Sequence, residues 1–114
     1  MATSGPIRTQ ALVFGKAPDT APHMLITAAA AEVLLFKTVS LWNGSGTNVR
    51  CVFWVQPQAG DVTVNIIDLV LNTGSSVEQS VYVAINPGQQ LWGQFNVPLV
   101  HYWVTGVVLP GEIA

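Results

Sequence analysis

Two apolar runs separated by a glycine- and asparagine-rich break, between Leu34 and Val55, constrain the fold of this chain more than any other stretch. The first, Leu35–Trp42, is rich in β-branched and aromatic residues, which suit a pleated, half-buried surface. In the second, Val49–Val55, alternation puts Val49, Cys51, Phe53 and Val55 on one face. Between them, Asn43-Gly44-Ser45-Gly46-Thr47-Asn48 offers two glycines and two asparagines for the positive-φ positions of a tight reversal. The expectation is a β-hairpin from Leu34 to Val55.

The rest of the chain is punctuated in the same way. Ala11–Phe14 reads as a short strand, and Ala17–Pro22, with two prolines, as a loop. Met24–Val33 is ambiguous. Its run Ala28–Ala31 favours helix, but Thr27 is the only placed cap, so a helical turn and a strand-to-strand crossing both fit. Gln56–Asp61 reads as a turn. In Val62–Leu71 the apolar set changes face, from Val62, Val64 and Ile66 to Ile67, Leu69 and Leu71, which predicts a bulge or a strand buried on both sides. Val77, Val81, Val83 and Ile85 alternate inward up to the turn Asn86-Pro87-Gly88-Gln89. Leu91, Phe95 and Val97 point inward on the next strand, and Leu99–Leu109 closes the sheet after Pro98.

Strands separated by turn signals every 8–12 residues or so predict an all-β antiparallel sandwich of seven or eight strands, either jelly-roll or immunoglobulin-like. The expected core is Leu35, Val39 and Leu41, then Val49, Cys51 and Phe53, then Val81, Val83, Leu91, Phe95, Tyr102 and Val104. Residues 9–114 are expected to form this one domain, and residues 1–8 a short flexible arm, small and polar apart from Ile7.

Charge is the unusual quantity. Only 9% of the 114 residues are Asp, Glu, Lys or Arg, whereas 50% are apolar; ordinary soluble domains carry roughly 25% charged residues. So few charges leave apolar patches uncovered, and such patches mark contacts. Much of the surface is therefore expected to lie against other subunits. A net charge of −2 with four scattered basic residues provides no electrostatic footprint for nucleic acid. No stretch approaches the roughly 20 apolar residues of a membrane span, and no basic segment precedes an apolar one as in a secretion signal. The lone cysteine, Cys51, has no intrachain partner and reads as a small buried hydrophobe.

A search for chemistry gives neither catalytic nor cofactor-binding nor metal-binding residues. Nucleophilic catalysis needs a nucleophile beside an oriented base. The two histidines are His23, in a proline-flanked loop, and His101, which reads as an edge or interface residue. The acidic residues mostly sit in or beside turns. Asp68 and His101 could meet across strands, but two ligands do not make a metal site. The loop at Gly44–Gly46 lacks the lysine and helix of a phosphate loop.

Of the four tryptophans, Trp54, Trp92 and Trp103 are out of phase with the inward residues of their strands, and Trp42 flanks the expected hairpin. Trp42, Trp54, Trp92 and Trp103, together with Tyr82 and Ile7, are the expected interface residues; packing at the ends of the sandwich and stacking on sugars are the alternatives.

With the strands placed, Leu41-Trp42-Asn43-Gly44-Ser45-Gly46, Ile85-Asn86-Pro87-Gly88-Gln89-Gln90-Leu91 and Val104-Thr105-Gly106-Val107-Val108-Leu109 resemble elements of small β-sandwich virion structural proteins of tailed phages. The chain departs from that pattern in Thr105, where serine is common, in its many tryptophans and in its alanine run. The resemblance implies a non-enzymatic subunit of the virion, assembled in the host cytoplasm. Its partners would be copies of itself, as a homotrimer or another symmetric oligomer, and the major capsid protein or tail proteins. Capsid decoration (cement) is the leading role; a receptor- or carbohydrate-binding module of a tail or fibre is the alternative. Nucleic acid and membrane are not expected partners.

The arm carries the first prediction. Ordering it would cost roughly 1–2 kcal/mol per residue, which a neighbouring subunit can offset. Deleting residues 1–7 is expected to leave the thermal midpoint of the free domain unchanged while weakening incorporation into particles. Unfolding of the truncated domain would instead make the segment part of the sandwich.

Overall fold

The structure is a computed structural model that describes residues 9–56 and 64–110. The expected arm, including Ile7, and most of the expected turn after Gln56 lie outside the described residues. Eight strands follow one another: β1 (Gln10–Lys16), β2 (His23–Thr27), β3 (Glu32–Asn43), β4 (Val49–Gln56), β5 (Val64–Leu71), β6 (Ser76–Ile85), β7 (Gln90–Phe95) and β8 (Val100–Pro110). They form two four-stranded sheets, sheet A in the order β1-β8-β3-β6 and sheet B in the order β2-β7-β4-β5. Every ladder is antiparallel.

The pairing has a simple logic. First pairs with last, second with seventh, third with sixth and fourth with fifth, so the chain is one long doubled hairpin. The β3–β8 and β4–β7 ladders roll it up into two sheets. This is the jelly roll, and it decides between the two sandwiches that strand spacing left open.

The expected β3–β4 hairpin does not form. The two strands are central members of different sheets, and the loop between them carries the chain across the sandwich. Neither Gly44 nor Gly46 has a positive φ; among the described glycines, only Gly74 and Gly88 do. Instead of ladder hydrogen bonds, the side chain of Asn43 holds the crossing together. Fully buried, it donates from Nδ2 to the carbonyls of Thr47 (2.8 Å) and Leu71 (3.0 Å). Its Oδ1 accepts from the Ser45 amide (2.9 Å) and hydroxyl (2.6 Å). Its backbone pairs with Ser75 and Gly74 of the β5–β6 crossing. One amide thus ties together the two crossings at this end of the sandwich.

Met24–Val33 resolves as β2 followed by a crossing into β3. Glu32 N–H bonds the Ala29 carbonyl (3.1 Å), and Ala31 adopts a φ of 63°. Ala28 is buried, and its backbone bonds Gln89 and Gly88 of the β6–β7 turn. That turn forms as expected, with Gly88 at φ 86° and Gln89 N–H on the Asn86 carbonyl.

Eight of the twelve expected core residues are buried: Val39, Leu41, Val49, Cys51, Phe53, Leu91, Phe95 and Val104. Leu35, Val81, Val83 and Tyr102 are half-buried. The miss at Leu35 has a definite cause, because a bulge between Phe36 and Thr38 shifts β3 by one residue. Leu34 and Phe36 are therefore buried before the bulge, and Val39 and Leu41 after it. The register of β1 slips between Ala11 and Val13 at the same level of sheet A, and β6 bulges at Val81–Tyr82. Irregularities on three strands thus line up into a crease across the sheet, and alternation counted straight through it fails. Val81 and Val83 are further exposed because β6 is an edge strand. The bulge expected in β5 is present at Ile66, where the β4–β5 register shifts.

The centre of the core is a ring cluster joining the sheets. Phe53 meets Phe95 edge-on at 5.6 Å and Tyr102 at 6.4 Å, and Phe53 has no accessible surface. Truncating Phe53 to alanine is expected to cost about 3–5 kcal/mol in denaturant unfolding; a loss below about 1 kcal/mol would contradict this packing.

Cys51 is fully buried beside this cluster, and burial pushes its thiol up to about 12 from an ordinary value of 9.0. The folded state holds the proton more tightly than the unfolded chain does. This contribution is therefore intact below about pH 9 and is lost as pH rises toward 12, by about 1.4 kcal/mol per pH unit. Cys51→Val is expected to flatten that part of the stability–pH profile, measured by urea midpoints from pH 8 to 11.

Candidate binding surfaces

Directly opposed residues of antiparallel strands share a face, so the registers define what each sheet shows to solvent. On sheet A, Phe14, Trp103, Ser40 and Glu78 form one rung across all four strands. Lys16, His101, Trp42 and Ser76 form the next. Phe14 stacks on Trp103 with centroids 4.8 Å apart, and Trp42 leans over His101 at 5.0 Å. Trp42 can lie down because its neighbour in the loop is glycine: a Cβ on Gly44 would come within 2.8 Å of the indole. Serines at two of the eight positions leave room between the large side chains. The result is a groove of about 640 Å³ with aromatic walls and a floor that includes Ser40.

Its charged groups are uncommitted among the described residues. Ion pairs among the described residues join His23 to Asp19 and Arg50 to Asp68; Lys16 and Glu78 enter neither.

The outer face of sheet B is different. Trp54 and Trp92 oppose each other on β4 and β7 and stack at 6.2 Å, nearly parallel. Met24 flanks Trp92; further along the sheet Val52 lies between Gln94 and Asp68, and Val70 opposite Arg50. Several polar groups around them are paired within the subunit. Trp92 Nε1 donates to Gln90 Oε1 (2.9 Å), and Gln94 Nε2 to the Thr20 carbonyl (3.1 Å). Arg50 grips Asp68 with two bonds of 2.9 and 2.7 Å, which hold the Asp68 carboxyl below its ordinary value.

The four tryptophans expected at an interface therefore point outward, two on each face of the sandwich. Trp42 and Trp103 are both 47% exposed, whereas Trp54 and Trp92 are half-buried by each other. Tyr82 stands apart, 70% exposed on the edge strand β6, in the bulge and at a φ of 50°. The suggested meeting of Asp68 with His101 does not occur, since one lies on the outside of sheet B and the other on the outside of sheet A. Asp68 and Glu78 lie on strands, within the runs expected to form β5 and β6. Sequence reasoning missed Phe14, Ser40 and Glu78 as neighbours of Trp103, because only the β1–β8–β3–β6 order brings them together. Among the described residues, no three of His, Cys, Asp and Glu come together in a way that could hold a metal ion.

No protein-family model matches this chain, and no curated protein does either. Solved structures share its fold. The Drosophila NLP core, described as forming a pentamer and binding histones, is similar over 90% of this chain and 97% of its own, with 16% identity and a TM-score of 0.53. A protein of Bacillus endospore appendages, a family of disulfide-linked pili, is similar over 98% and 96%, with 13% identity and a TM-score of 0.54. A chain of infectious bursal disease virus, Gx strain, matches 95% of this chain and 33% of its own length, with 11% identity and a TM-score of 0.52. At these identities the likeness is one of fold: the chain is an eight-stranded antiparallel sandwich of a kind found in a pentamer, a pilus and a virus.

Proposed function

We propose that this chain is a non-enzymatic structural subunit that works by assembling with copies of itself, as a capsid decoration (cement) protein stabilising the head shell of a tailed phage. The observation that carries the assembly is the outer face of sheet B. Its stacked Trp54–Trp92 pair is apolar, and the Arg50 and Asp68 charges that share the face with Val52 and Val70 are paired with each other. Burying such a face strands no unpaired charge, so the apolar gain is kept. The low charge of the whole chain fits a subunit covered by neighbours. The pentamer, pilus and virus among the structures of like fold support self-assembly, and the resemblance of the Asn43–Gly46 and Asn86–Gln90 motifs to phage virion proteins supports the particle. Trp54 and Trp92 belong to this contact. Trp42 and Trp103 lie on the other face, around Lys16 and Glu78, which form no ion pair among the described residues and suit that face less to burial against a copy.

Sedimentation at micromolar concentration is expected to show a closed oligomer, a trimer or a similar ring. Val70→Lys, at a position 66% exposed and so free to change without unfolding the subunit, is expected to shift it to monomer. A wild-type monomer at every accessible concentration would overturn the assembly. Localisation of its density on the outside of intact heads tests the decoration role, and density in the tail would refute it.

Tyr82 offers an independent check. A non-glycine residue at positive φ costs on the order of 1 kcal/mol and persists where function requires the side chain. Tyr82→Gly is expected to leave the free subunit as stable or up to about 1 kcal/mol more stable, while weakening its association.

A further inference from the structure

The geometry points to a second, separate site: the groove on the outer face of sheet A is a binding site for a neutral pyranose oligosaccharide. The inference does not rest on the assembly proposed above, which uses the opposite sheet.

The shape comes first. At about 640 Å³ the groove falls within the range of small-ligand sites. It exists because Ser40 separates Trp103 from Glu78 along one rung, and Ser76 ends the next rung beside Trp42. A ring entering above Ser40 has an indole on the β8 side, a second indole diagonally ahead and a carboxylate on the β6 side. The walls come next. Trp103 is braced from behind by Phe14 at 4.8 Å and Trp42 by His101 at 5.0 Å, so both indoles are backed by another ring while remaining about half exposed. A pyranose presents C–H groups on its face and hydroxyls round its edge. It can lay the face on an indole while its edge meets Glu78, Ser40 and Ser76.

The polar groups decide between occupants. Glu78 and Lys16 have no ion-pair partner among the described residues, and covering them with an apolar surface would strand both charges. Hydroxyl groups satisfy them, accepting from the ammonium and donating to the carboxylate. One anion and one cation at the groove leave no net charge to attract an acidic or basic ligand, which selects a neutral one. On sheet B, by contrast, the Arg50 and Asp68 charges are already paired with each other.

The test is titration of the intact protein with pentasaccharides of glucose (β1,4 and α1,4), galactose and N-acetylglucosamine, read by tryptophan fluorescence and calorimetry. At least one is expected to bind with a Kd at or below the order of 1 mM. Trp103→Ala and Glu78→Gln should each weaken it at least tenfold. Trp54→Ala, on the other face, should leave it within twofold. Both groove side chains are exposed, so circular dichroism should confirm unchanged folding. Failure of all four sugars to bind would overturn the proposal, and so would binding indifferent to both groove substitutions. If the groove substitutions instead changed the oligomeric state, the groove would be a subunit contact and the proposal would fall, while the sheet B assembly would still be judged by Val70→Lys alone.

Discussion

Gly106→Ala is expected to yield no folded protein. Gly106 is buried in β8 at the crease of sheet A, opposite Phe36 on β3 and Gln10 on β1. A Cβ there would fall on the carbonyl oxygen of Leu35, 2.9 Å from its carbonyl carbon and 3.0 Å from Leu12 Cδ1. The first obstacle is backbone, which no rotamer change can move aside. Relief requires β3 and β8 to separate, and these are the strands whose pairing closes the roll in sheet A. The expected loss is at least about 5 kcal/mol, the lower end of a domain's whole stability. Expression as soluble protein with a cooperative unfolding transition near that of wild type would contradict the close approach of the two strands.

The second large effect is expected at Asn43. Asn43→Ala removes four hydrogen bonds, among them the buried one to the Leu71 carbonyl, at a cost of about 3 kcal/mol. Asn43→Asp should be worse, about 5 kcal/mol at pH 7, although it changes only the NH₂ group. The introduced carboxylate keeps the acceptor facing Ser45 but turns its other oxygen on two carbonyls that need a donor, Thr47 at 2.8 Å and Leu71 at 3.0 Å. Desolvation and the carbonyls both raise the folded-state pKa of that carboxyl. The variant should therefore regain stability as pH falls toward the ordinary carboxylate range, where a proton restores one donor. The order of the two variants is the diagnostic, read from urea midpoints at pH 7 and pH 4.5. An aspartate variant more stable than the alanine variant at pH 7 would show that Nδ2 does not face those carbonyls.

Both predictions lie where the chain passes between sheets or creases, and these are the features least legible in its sequence. Alternation of apolar side chains follows from the two-residue repeat of a strand, a local property. It correctly located β3, β4, β6 and β7 and placed Val49, Cys51, Phe53, Leu91 and Phe95 in the core. The outward direction of Trp54, Trp92 and Trp103 follows from the same count. So did the turn at Pro87-Gly88, where φ is set by the residues themselves.

Partnership between strands is not local. A strand with one apolar face buries it equally well beside its neighbour in a sheet or across from it in a sandwich, so Leu34–Val55 reads as a hairpin and folds as a crossing. What decided the matter is the buried amide of Asn43, which answers backbone groups from residues 47 and 71 at once, together with the roll that makes β8 the neighbour of both β1 and β3. The same roll sets Phe14, Trp103, Ser40 and Glu78 side by side from positions spread over most of the chain. Sequence determined which side chains leave the core; only the strand order, fixed by long-range backbone pairing, determined which of them meet.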